Sequence, residues 1–445
     1  MNSPYAHQSI AVLGLGSSGE AAARRLLEEG ACVTGLDSGD SEKLQAAAAK
    51  LRADGIRVLL GSDAESDPSQ YDLAVLSPGI DPVVPLVRKF LADSIPIIGE
   101  LELSYTLCAC PVVAITGTNG KTTTTQLIER MLNACGLRSM AAGNIGPAFA
   151  ARVRESASLD LMTLEVSSFQ LETIRTFRPV ISIWLNFQAD HLDRYASMEE
   201  YYAAKIRIFE NQTADDVAIV KFEDKLPPIK AKKITFSAYT QGGDLDLRDG
   251  VIHFHGKPVL RLEETELRGL HNAENLMAAL AVGAVRGLDF APMLESLRTY
   301  KALPHRCERV GAVGGVEYIN DSKATNLDAL EKALLSETRP VVLIAGGKDK
   351  GFEFDSLTDL VASKARAVIL IGEMADRIAR FWGSRVPCQR AQSLAEAVQL
   401  AHSQARSGDV VLFSPGTSSF DMFKSYADRG NQFRTLVQNL PDPAL

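Results

Sequence analysis

The segment that most constrains this chain joins a buried strand to an amphipathic helix through closely spaced glycines. The apolar run 112–115 predicts the strand, and the pattern over 126–132 predicts the helix. Between them, Thr116 to Thr125 reads Thr-Gly-Thr-Asn-Gly-Lys-Thr-Thr-Thr-Thr. Backbone N–H groups of such a loop cradle a polyphosphate, a lysine neutralises the β- and γ-phosphate oxygens, and the next hydroxyl ligates Mg²⁺. The segment therefore predicts ATP binding by Gly117, Thr118, Asn119, Gly120, Lys121, Thr122 and Thr123.

Short β-branched runs alternate with Ala- and Leu-rich helical stretches along the whole chain, which predicts an α/β protein with largely parallel sheets. At about 150 residues per domain, the 445 residues predict two or three domains. Glycine-rich strand-to-helix junctions at Gly14, Gly117 and Gly346 favour three. We expect a Rossmann-like domain, a P-loop-type ATPase domain and a second Rossmann-like domain, at 1–99, 100–302 and 303–445. Within the second, 217–262 predicts an added antiparallel layer.

Charge and composition exclude several classes of protein. Lys plus Arg total 47 against 55 Asp plus Glu, and a net charge of -8 argues against electrostatic nucleic-acid binding. The N-terminus lacks a basic leader, and no run of about 18 apolar residues occurs, so we expect a cytoplasmic protein without membrane insertion. The six cysteines are too sparse for a disulfide scaffold and predict reduced, buried thiols.

A second glycine-rich turn follows the first predicted strand. Gly14-Leu15-Gly16-Ser17-Ser18-Gly19 opens a helix, and Asp37 lies eighteen residues beyond it, which suits a dinucleotide. Such glycines admit any diphosphate to a helix N-terminus, so a nicotinamide dehydrogenase and a purely structural turn both stay open. Ser77-Pro78-Gly79-Ile80 follows a neighbouring strand and predicts a second wall of the same crevice.

The compact Gly-Thr-Asn-Gly-Lys-Thr form resembles the Mur ligases and their folylpolyglutamate synthase relatives. The segments 164–171 and 186–195 are similar to the magnesium motifs of that superfamily. Taken alone, Glu165 is a helix cap or ion-pair partner, His191 a helix-end histidine and Lys205 a surface lysine. The resemblance implies instead two Mg²⁺ ions held by Thr122, Glu165, His191 and a carbamylated Lys205.

Three further motifs fit this resemblance, and the last of them is similar to the glutamate-adding branch of the Mur ligases. They are His-Asn-Ala-Glu-Asn at 271–275, Leu-Pro-His-Arg-Cys-Glu at 303–308 and Ile-Asn-Asp-Ser-Lys-Ala-Thr-Asn at 319–326. The resemblance implies that Asn275 meets adenine while Asn272 caps or orients, although a helix N-cap would also explain either one. Arg306 and Asp321 would then reach the ribose and phosphates, and Lys323 would supply charge near the transferred phosphoryl group. The implied catalytic residues are Lys121, His191, Lys205 and Lys323.

The same resemblance implies two sets of substrate contacts. The UDP-linked substrate would meet Gly14, Gly16, Ser17, Ser18, Asp37, Ser38, Ser77, Gly79 and Asn144. D-Glutamate would meet Thr325, Lys350, Ser419, Phe420 and Tyr426, with Lys348 as a second cation beside Lys350.

The activity implied is an ATP-dependent amide ligase of cytoplasmic peptidoglycan precursor synthesis. It would add D-glutamate to UDP-N-acetylmuramoyl-L-alanine through an acyl phosphate and a tetrahedral intermediate. We expect a monomer whose C-terminal domain closes about a hinge near Leu303. A folylpolyglutamate-synthase-like ligase would lack the domain at 1–99, a dehydrogenase would ignore ATP, and a nucleotide-binding regulator would form no product.

Overall fold

The computed structural model describes residues 3–191, 194–301, 304–349 and 351–441. Within these ranges the strands form three sheets that follow one another along the chain, each covered by helices. The α/β class with three domains is therefore confirmed. The hinge predicted near Leu303 lies outside the described residues. No helix in the described ranges combines the length and apolar composition needed to cross a membrane.

The first sheet is parallel, in the order β3-β2-β1-β4-β5. Because the order reverses between β1 and β4, the loops that follow these strands border one crevice at the carboxyl edge of the sheet. Its strands are β1 (Ser9–Leu13), β2 (Cys32–Asp37), β3 (Arg57–Leu60), β4 (Leu73–Leu76) and β5 (Ile97–Gly99). The helices of this part of the chain are α1 (Ser17–Glu28), α2 (Glu42–Ala53), α3 (Ser62–Glu65) and α4 (Pro85–Ala92), and α5 (Glu100–Leu107) follows the last strand.

The central sheet has the order β14-β13-β12-β11-β10-β9-β6-β8-β7. Its strands are β6 (Val112–Thr116), β7 (Ser139–Gly143), β8 (Leu161–Glu165), β9 (Ile181–Trp184), β10 (Val217–Lys221), β11 (Lys232–Ser237), β12 (Leu245–Arg248), β13 (Val251–Phe254) and β14 (Lys257–Arg261). The helices are α6 (Lys121–Ala134), α7 (Phe149–Arg152), α8 (Ser168–Leu171), α9 (Met198–Ile206), α10 (Leu270–Val285) and α11 (Phe290–Arg298).

The expectation of an added antiparallel layer at 217–262 is right for the end of the segment and wrong for its beginning. β10 pairs in parallel with β9 and β11, and β12 pairs in parallel with β11, so this segment continues the central sheet. Only β13 and β14 are added in antiparallel fashion. Strand structure in this segment was predicted, but its pairing with β9 is a parallel pairing that local patterning does not reveal.

The third sheet has the order β15-β16-β20-β17-β18-β19 and is parallel except for the β15–β16 hairpin. Its strands are β15 (Glu308–Val313), β16 (Val316–Asn320), β17 (Val341–Gly346), β18 (Ala365–Ile371), β19 (Cys388–Arg390) and β20 (Val410–Phe413). Its helices are α12 (Leu327–Ser336), α13 (Thr358–Lys364), α14 (Ala375–Trp382), α15 (Leu394–Gln404) and α16 (Tyr426–Gln438).

The core of the central domain explains why polar side chains of α10 lie at fixed positions beside the glycine-rich loop at 116–125, here called the nucleotide loop. Nearly every residue of α10 from 273 to 283 is buried, because the helix packs against α6 and the sheet in one apolar cluster. Burial on all sides fixes the rotation of α10, so the polar side chains of its first turns occupy set positions. The helix begins at Leu270, so the His-Asn-Ala-Glu-Asn motif at 271–275 lies in its first turns.

The cysteines are free thiols, as expected, but the expectation that they are buried is wrong. Cys32 is exposed and Cys108, Cys110, Cys135, Cys307 and Cys388 are partly buried.

Candidate active site

The glycine-rich loop turns sharply between β6 and α6. Gly117 has φ +151° and Gly120 has φ +85°, backbone values that favour glycine. A Cβ on Gly120 would lie 2.4 Å from the Asn275 Oδ1 atom. This turn starts α6 at Lys121, five residues before the predicted start, and places the threonines that follow in its first turn. The free N–H groups of that turn form an anion site.

Lys121 folds back over the loop that it follows. Its Nζ donates to the carbonyl oxygens of Gly117 and Thr118, both at 2.9 Å. Burial lowers the pKa of Lys121, and the nearby carboxylates of Glu165 and Asp190 act in the opposite direction. The ammonium group is therefore held at the loop where a phosphate would bind.

Glu165 ends β8 beside the loop that carries Asn144. The Asn144 Nδ2 donates to Glu165 Oε1 at 2.8 Å, and its backbone N–H donates to the Glu165 carbonyl oxygen at 2.9 Å. Within the described residues, the buried Glu165 Oε2 has no hydrogen-bond partner. A buried carboxylate oxygen in this state fits a cation as its missing partner.

Lys205 lies on α9, behind the loop, and is 2% exposed. Its Nζ donates to the Gly117 carbonyl oxygen at 2.9 Å. Burial, and then the charge of Lys121, lower the pKa of Lys205 well below its usual value. The structure therefore does not support the surface-lysine interpretation.

The C-terminal domain supplies charged groups opposite this loop. Asp321 accepts from Ser414 Oγ at 2.7 Å, and burial raises its pKa to about 7. Burial, and then the charge of Arg306, lower the pKa of Lys323 to about 8. The Lys323 Nζ lies 3.9 Å from the centre of the Tyr426 ring.

A cavity of about 270 Å³ between the central and C-terminal domains brings most of these groups together. A second cavity of about 360 Å³ shares part of this lining and adds Tyr426. The predicted residues that line the first cavity are Thr118, Asn119, Gly120, Lys121, Thr122, Thr123, Asn144, Glu165, His191, Asn275, Arg306, Asp321, Lys323 and Thr325.

The Asn275 side chain is held by hydrogen bonds to two neighbouring side chains and does not cap its helix. Its Oδ1 accepts from Thr124 Oγ1 at 3.0 Å, and its Nδ2 donates to Asn272 Oδ1 at 3.0 Å. Gly269 is the N-cap of α10, so the cap interpretation is wrong for both asparagines. Of the two alternatives for Asn272, capping the helix or orienting Asn275, its bond to Asn275 favours the second.

Three residues that the sequence analysis did not single out connect the two domains or line the cavity. Asn326 donates from Nδ2 to Asp190 Oδ2 at 3.2 Å, and Asp328 accepts from Asn119 Nδ2. His271 lines the cavity, and burial lowers its pKa to about 4, so its imidazole is neutral. His271 and Asn326 lie within the motifs at 271–275 and 319–326, whereas Asp328 lies outside the motifs.

The glycine-rich turn after β1 and the loop after β4 lie outside the lining of the 270 Å³ cavity. Gly16 is the N-cap of α1, and Ser17 and Ser18 are its first residues. A Cβ on Gly19 would lie 1.8 Å from the Gly14 carbonyl oxygen, so the turn requires glycine there. The described lining of the 270 Å³ cavity includes Asn144 of the predicted UDP set but none of Gly14, Gly16, Ser17, Ser18, Asp37, Ser38, Ser77 and Gly79.

Asp37 has a structural task at the glycine turn. Its Oδ2 accepts from the Leu15 N–H at 2.8 Å, and its Oδ1 accepts from the Gly39 N–H at 2.9 Å. The carboxylate thus ties the end of β2 to the turn after β1. These two bonds fix the conformation of the turn.

The residues predicted to contact the amino acid differ in exposure. Ser419 is buried, whereas the Phe420 side chain is 68% exposed. The Lys348 N–H donates to the Ser418 carbonyl oxygen at 2.9 Å, which places Lys348 beside this loop. Lys350 lies outside the described residues.

Among the described residues, no group of three or more His, Cys, Asp or Glu side chains is arranged to hold a metal ion. The predicted metal set includes only two such residues, Glu165 and His191, with Thr122 and Lys205 as the others. Glu165 and His191 both line the 270 Å³ cavity together with Thr122.

Family models match most of the chain. A Mur ligase MurD-like N-terminal domain matches residues 8–99, a Mur ligase middle domain matches 115–283, and a Mur ligase glutamate ligase domain matches 305–416. Each model falls on one of the three sheets.

Relatives match over nearly the full length. A UDP-N-acetylmuramoylalanine–D-glutamate ligase of Geobacter metallireducens is 40% identical over 442 residues, which cover 97% of this chain and 98% of the relative. A ligase of the same name from Pelotomaculum thermopropionicum is 39% identical over 455 residues, with 98% of each chain covered.

Solved structures share the fold at lower identity. The UDP-N-acetylmuramate-alanine ligase MurC of Thermotoga maritima has a TM-score of 0.62 at 20% identity, covering 97% of this chain and 99% of that one. The MurF ligase of Thermotoga maritima, in complex with ADP, has a TM-score of 0.62 at 16% identity, covering 98% and 97%. The arrangement of the three domains is thus shared by these structures.

Proposed function

The chain belongs to the Mur ligase family, and from this premise we propose that it adds D-glutamate to UDP-N-acetylmuramoyl-L-alanine at the expense of ATP, in peptidoglycan precursor synthesis. One observation supports the chemistry most directly. Lys121, Glu165 and Lys323, from both sides of the domain interface, line one cavity. Phosphoryl transfer needs this kind of positioned charge more than it needs covalent catalysis.

ATP binds with its phosphates at the N-terminus of α6. Lys121 and the free N–H groups of the first turn neutralise the phosphate oxygens. Arg306 and Asp321 approach the ribose and phosphates from the C-terminal domain, and Asn275 lies toward adenine in the same cavity. The UDP-linked substrate takes the crevice of the first sheet, and Asn144 meets its acyl end.

The residues present fit Mg²⁺, which would supply positive charge to the phosphate oxygens when bound. The observation that carries the fit is the unpartnered Glu165 Oε2 in a buried position. Thr122 and His191 offer an oxygen and a nitrogen from the same cavity. Hard cations prefer oxygen ligands, so Glu165 and Thr122 are the primary candidates.

Lys205 is proposed to carry a carbamate and so to complete a second Mg²⁺ site. A lysine reacts with CO₂ as the neutral amine, and both burial and the charge of Lys121 favour that form of Lys205. The product is an anionic group close to the Gly117 carbonyl oxygen.

The reaction proceeds in two chemical steps. The substrate carboxylate attacks the γ-phosphorus of ATP, and ADP leaves, giving an acyl phosphate. The amine of D-glutamate then attacks the acyl carbon, and the tetrahedral intermediate collapses to amide and phosphate. Lys121 and Lys323 stabilise the negative charge that develops on oxygen, while His191 orients the attacking carboxylate.

The C-terminal domain both binds the amino acid and excludes water from the acyl phosphate. Thr325 lines the cavity, and Tyr426 forms a wall beside Lys323. The proposed contacts also include Lys350, Ser419 and Phe420, of which the exposed Phe420 becomes covered when substrate binds. The bonds from Asn326 to Asp190 and from Asn119 to Asp328 hold the two domains together over the cavity.

We also propose a cytoplasmic monomer with domain boundaries after residues 99 and 302. The central and C-terminal domains of a single chain supply charged groups on both sides of the cavity, which supports the monomer. Light scattering of the purified protein tests the monomer, because a dimer would double the measured mass.

The test of the proposed function is an assay across amino acids. Purified protein is incubated with ATP, Mg²⁺, UDP-N-acetylmuramoyl-L-alanine and one of a panel of L- and D-amino acids, and phosphate release and product mass are measured. We expect phosphate and an amide product with D-glutamate. Product with a different amino acid would contradict the assigned acceptor, and phosphate without product would contradict ligation.

A further inference from the structure

Arg429, on α16, has the most deeply buried positive charge of the described residues near the amino-acid loops, with 0% of its surface exposed. Its Nε donates to Ser322 Oγ at 2.9 Å, and its Nη2 donates to the Ser322 carbonyl oxygen at 2.8 Å. The same Nη2 donates to the Thr417 carbonyl oxygen at 3.2 Å, and Nη1 donates to those of Thr417 and Ser418 at 3.3 and 3.4 Å. Each of these acceptors is a neutral oxygen.

These bonds join two loops that come from distant parts of the sequence. The first loop follows β16 and carries Lys323 and Thr325 directly after Ser322. The second loop follows β20 and carries Ser419 and Phe420 directly after Ser418. One guanidinium therefore fixes the spacing between the two sides of the proposed amino-acid pocket.

A third segment is fixed through the second loop. The Lys348 N–H donates to the Ser418 carbonyl oxygen at 2.9 Å, and Thr417 Oγ1 donates to the Lys348 carbonyl oxygen. A Cβ on Gly347 would lie 3.2 Å from the Arg429 Nη1 atom. The guanidinium therefore packs closely against the backbone next to Lys348. The position of Lys348 thus depends on Arg429 through the second loop.

Arg429 keeps its charge at neutral pH although burial lowers its pKa to about 10. A buried cation without a directly bonded carboxylate is costly, and chains retain one when its fork of donors performs a task that a smaller residue cannot. Lysine could not reproduce this pattern, because its ammonium group offers three donors at one point and no planar fork.

We propose that Arg429 is a positioning residue for the acceptor amino acid, holding the loops after β16, β17 and β20 at the spacing that binds a dicarboxylate. The inference rests on the proposed function, since it concerns the same amino-acid pocket. Arg429 contacts the loops and acts on substrate through them.

The test compares Arg429→Lys with Ser322→Ala, which removes one acceptor, and with Arg366→Lys as a control. Arg366 is in the same domain and pairs with Asp409 at 2.8 Å, but it lies at the opposite edge of the sheet, where β18 and β20 begin. KM values for D-glutamate, ATP and the UDP-linked substrate are measured for each protein, together with thermal stability. D-Glutamate affinity is also measured by calorimetry, with an ATP analogue and the UDP-linked substrate present.

We expect Arg429→Lys to raise KM and Kd for D-glutamate about tenfold or more, with the other two KM values within about twofold. Ser322→Ala raises the D-glutamate constants by a smaller factor, and it decides the question if Arg429→Lys does not fold. Arg366→Lys loses stability but keeps all three KM values. Equal changes in the three constants, or unchanged D-glutamate constants in the folded variants, would overturn the positioning role.

The proposed function fails separately from this inference. If the unmodified protein joins a different amino acid, the constants for that amino acid are compared across the same variants. A selective rise would then support the role of Arg429 while D-glutamate is rejected as the acceptor.

Discussion

Lys121 and Lys205 share one acceptor, because the Nζ atoms of both donate to the Gly117 carbonyl oxygen at 2.9 Å. Two ammonium groups bonded to the same oxygen lie close enough to repel each other, and burial adds to the free-energy cost of charging both. The pKa of both is lowered, that of Lys205 more strongly. We therefore propose different roles for the two side chains. Lys121 is the cation that faces the phosphates, and Lys205 is the neutral amine that reacts with CO₂.

This division predicts the behaviour of Lys205 variants. Lys205→Ala and Lys205→Arg lose ligase activity by at least about 100-fold, because neither forms a carbamate. In the unmodified protein equilibrated with ¹³C-labelled bicarbonate, a carbamate carbon signal is expected in the NMR spectrum, and both variants lack it. Retained activity in Lys205→Ala, or no such signal in the unmodified protein, would contradict the proposed modification.

Two adjacent threonines of α6 provide a matched pair. Thr124 Oγ1 donates to Asn275 Oδ1 at 3.0 Å, whereas in the described structure the buried Thr125 Oγ1 has no hydrogen-bond partner. Thr124→Val leaves a buried acceptor unpaired, so we expect a loss of about 1–3 kcal/mol in the free energy of unfolding and weaker ATP binding. Thr125→Val removes only an unpaired hydroxyl and is expected to be neutral or stabilising. Denaturant unfolding measures both, and equal losses would count against the bond.

The contact between Asn119 and Asp328 predicts a variant with weakened domain closure. Asp328→Asn weakens the bond to the nucleotide loop and also the ion pair with Lys332, at 2.9 Å. We expect KM for ATP to rise about three- to tenfold. With an ATP analogue and the UDP-linked substrate, scattering should show compaction of the unmodified protein and less of it in the variant. Glu331→Gln, the same charge change on the same helix, is the control, and an identical response from it would argue against a specific contact.

Glu100 makes the stability of the protein depend on pH. It begins α5 at the end of the first sheet, and its Oε1 accepts from the Ala150 N–H at 2.6 Å. Burial raises the pKa of Glu100 from 4.5 to about 7, so between these values the folded state binds a proton that the unfolded state has released. Its contribution to stability is therefore present in full at low pH and is lost as the pH rises through about 7.

Glu100→Gln cannot titrate at this position. The free energy of unfolding of the unmodified protein, minus that of Glu100→Gln, is expected to fall between pH 5 and pH 8 by up to about 3 kcal/mol. Denaturant unfolding of both proteins across this range gives the difference, in which other titrating groups cancel. A difference that stays constant, or rises with pH, would show that Glu100 does not titrate as described.

Sequence patterns predicted the parts of the site that a continuous segment builds. The nucleotide loop was placed correctly because a buried strand, two glycines, a lysine and hydroxyls stand in one run. The start of α6 was placed too late, because the positive φ of Gly120 starts the helix at Lys121 before its apolar periodicity begins. The family resemblance also implied Glu165 and Lys323 as site residues, and both line the cavity.

Contacts that depend on how domains meet could not be predicted. Asp328 and Arg429 have no motif of their own, and each acts through a partner more than ten residues away in sequence. Asp37 shows the opposite case, since the motif singled it out for a ligand and the structure shows it accepting two backbone bonds that hold the turn. Local sequence reveals the residue types at such positions but not their partners.

The central claim is that a carboxylate is activated by phosphoryl transfer and captured by D-glutamate. It is tested most directly with UDP-N-acetylmuramoyl-L-alanine labelled with ¹⁸O in its terminal carboxylate, incubated with ATP, Mg²⁺ and D-glutamate. We predict an amide product that has lost one carboxylate oxygen and released phosphate that carries the ¹⁸O. Amide formed together with unlabelled phosphate, or labelled substrate recovered unchanged while ATP is hydrolysed, would contradict the account.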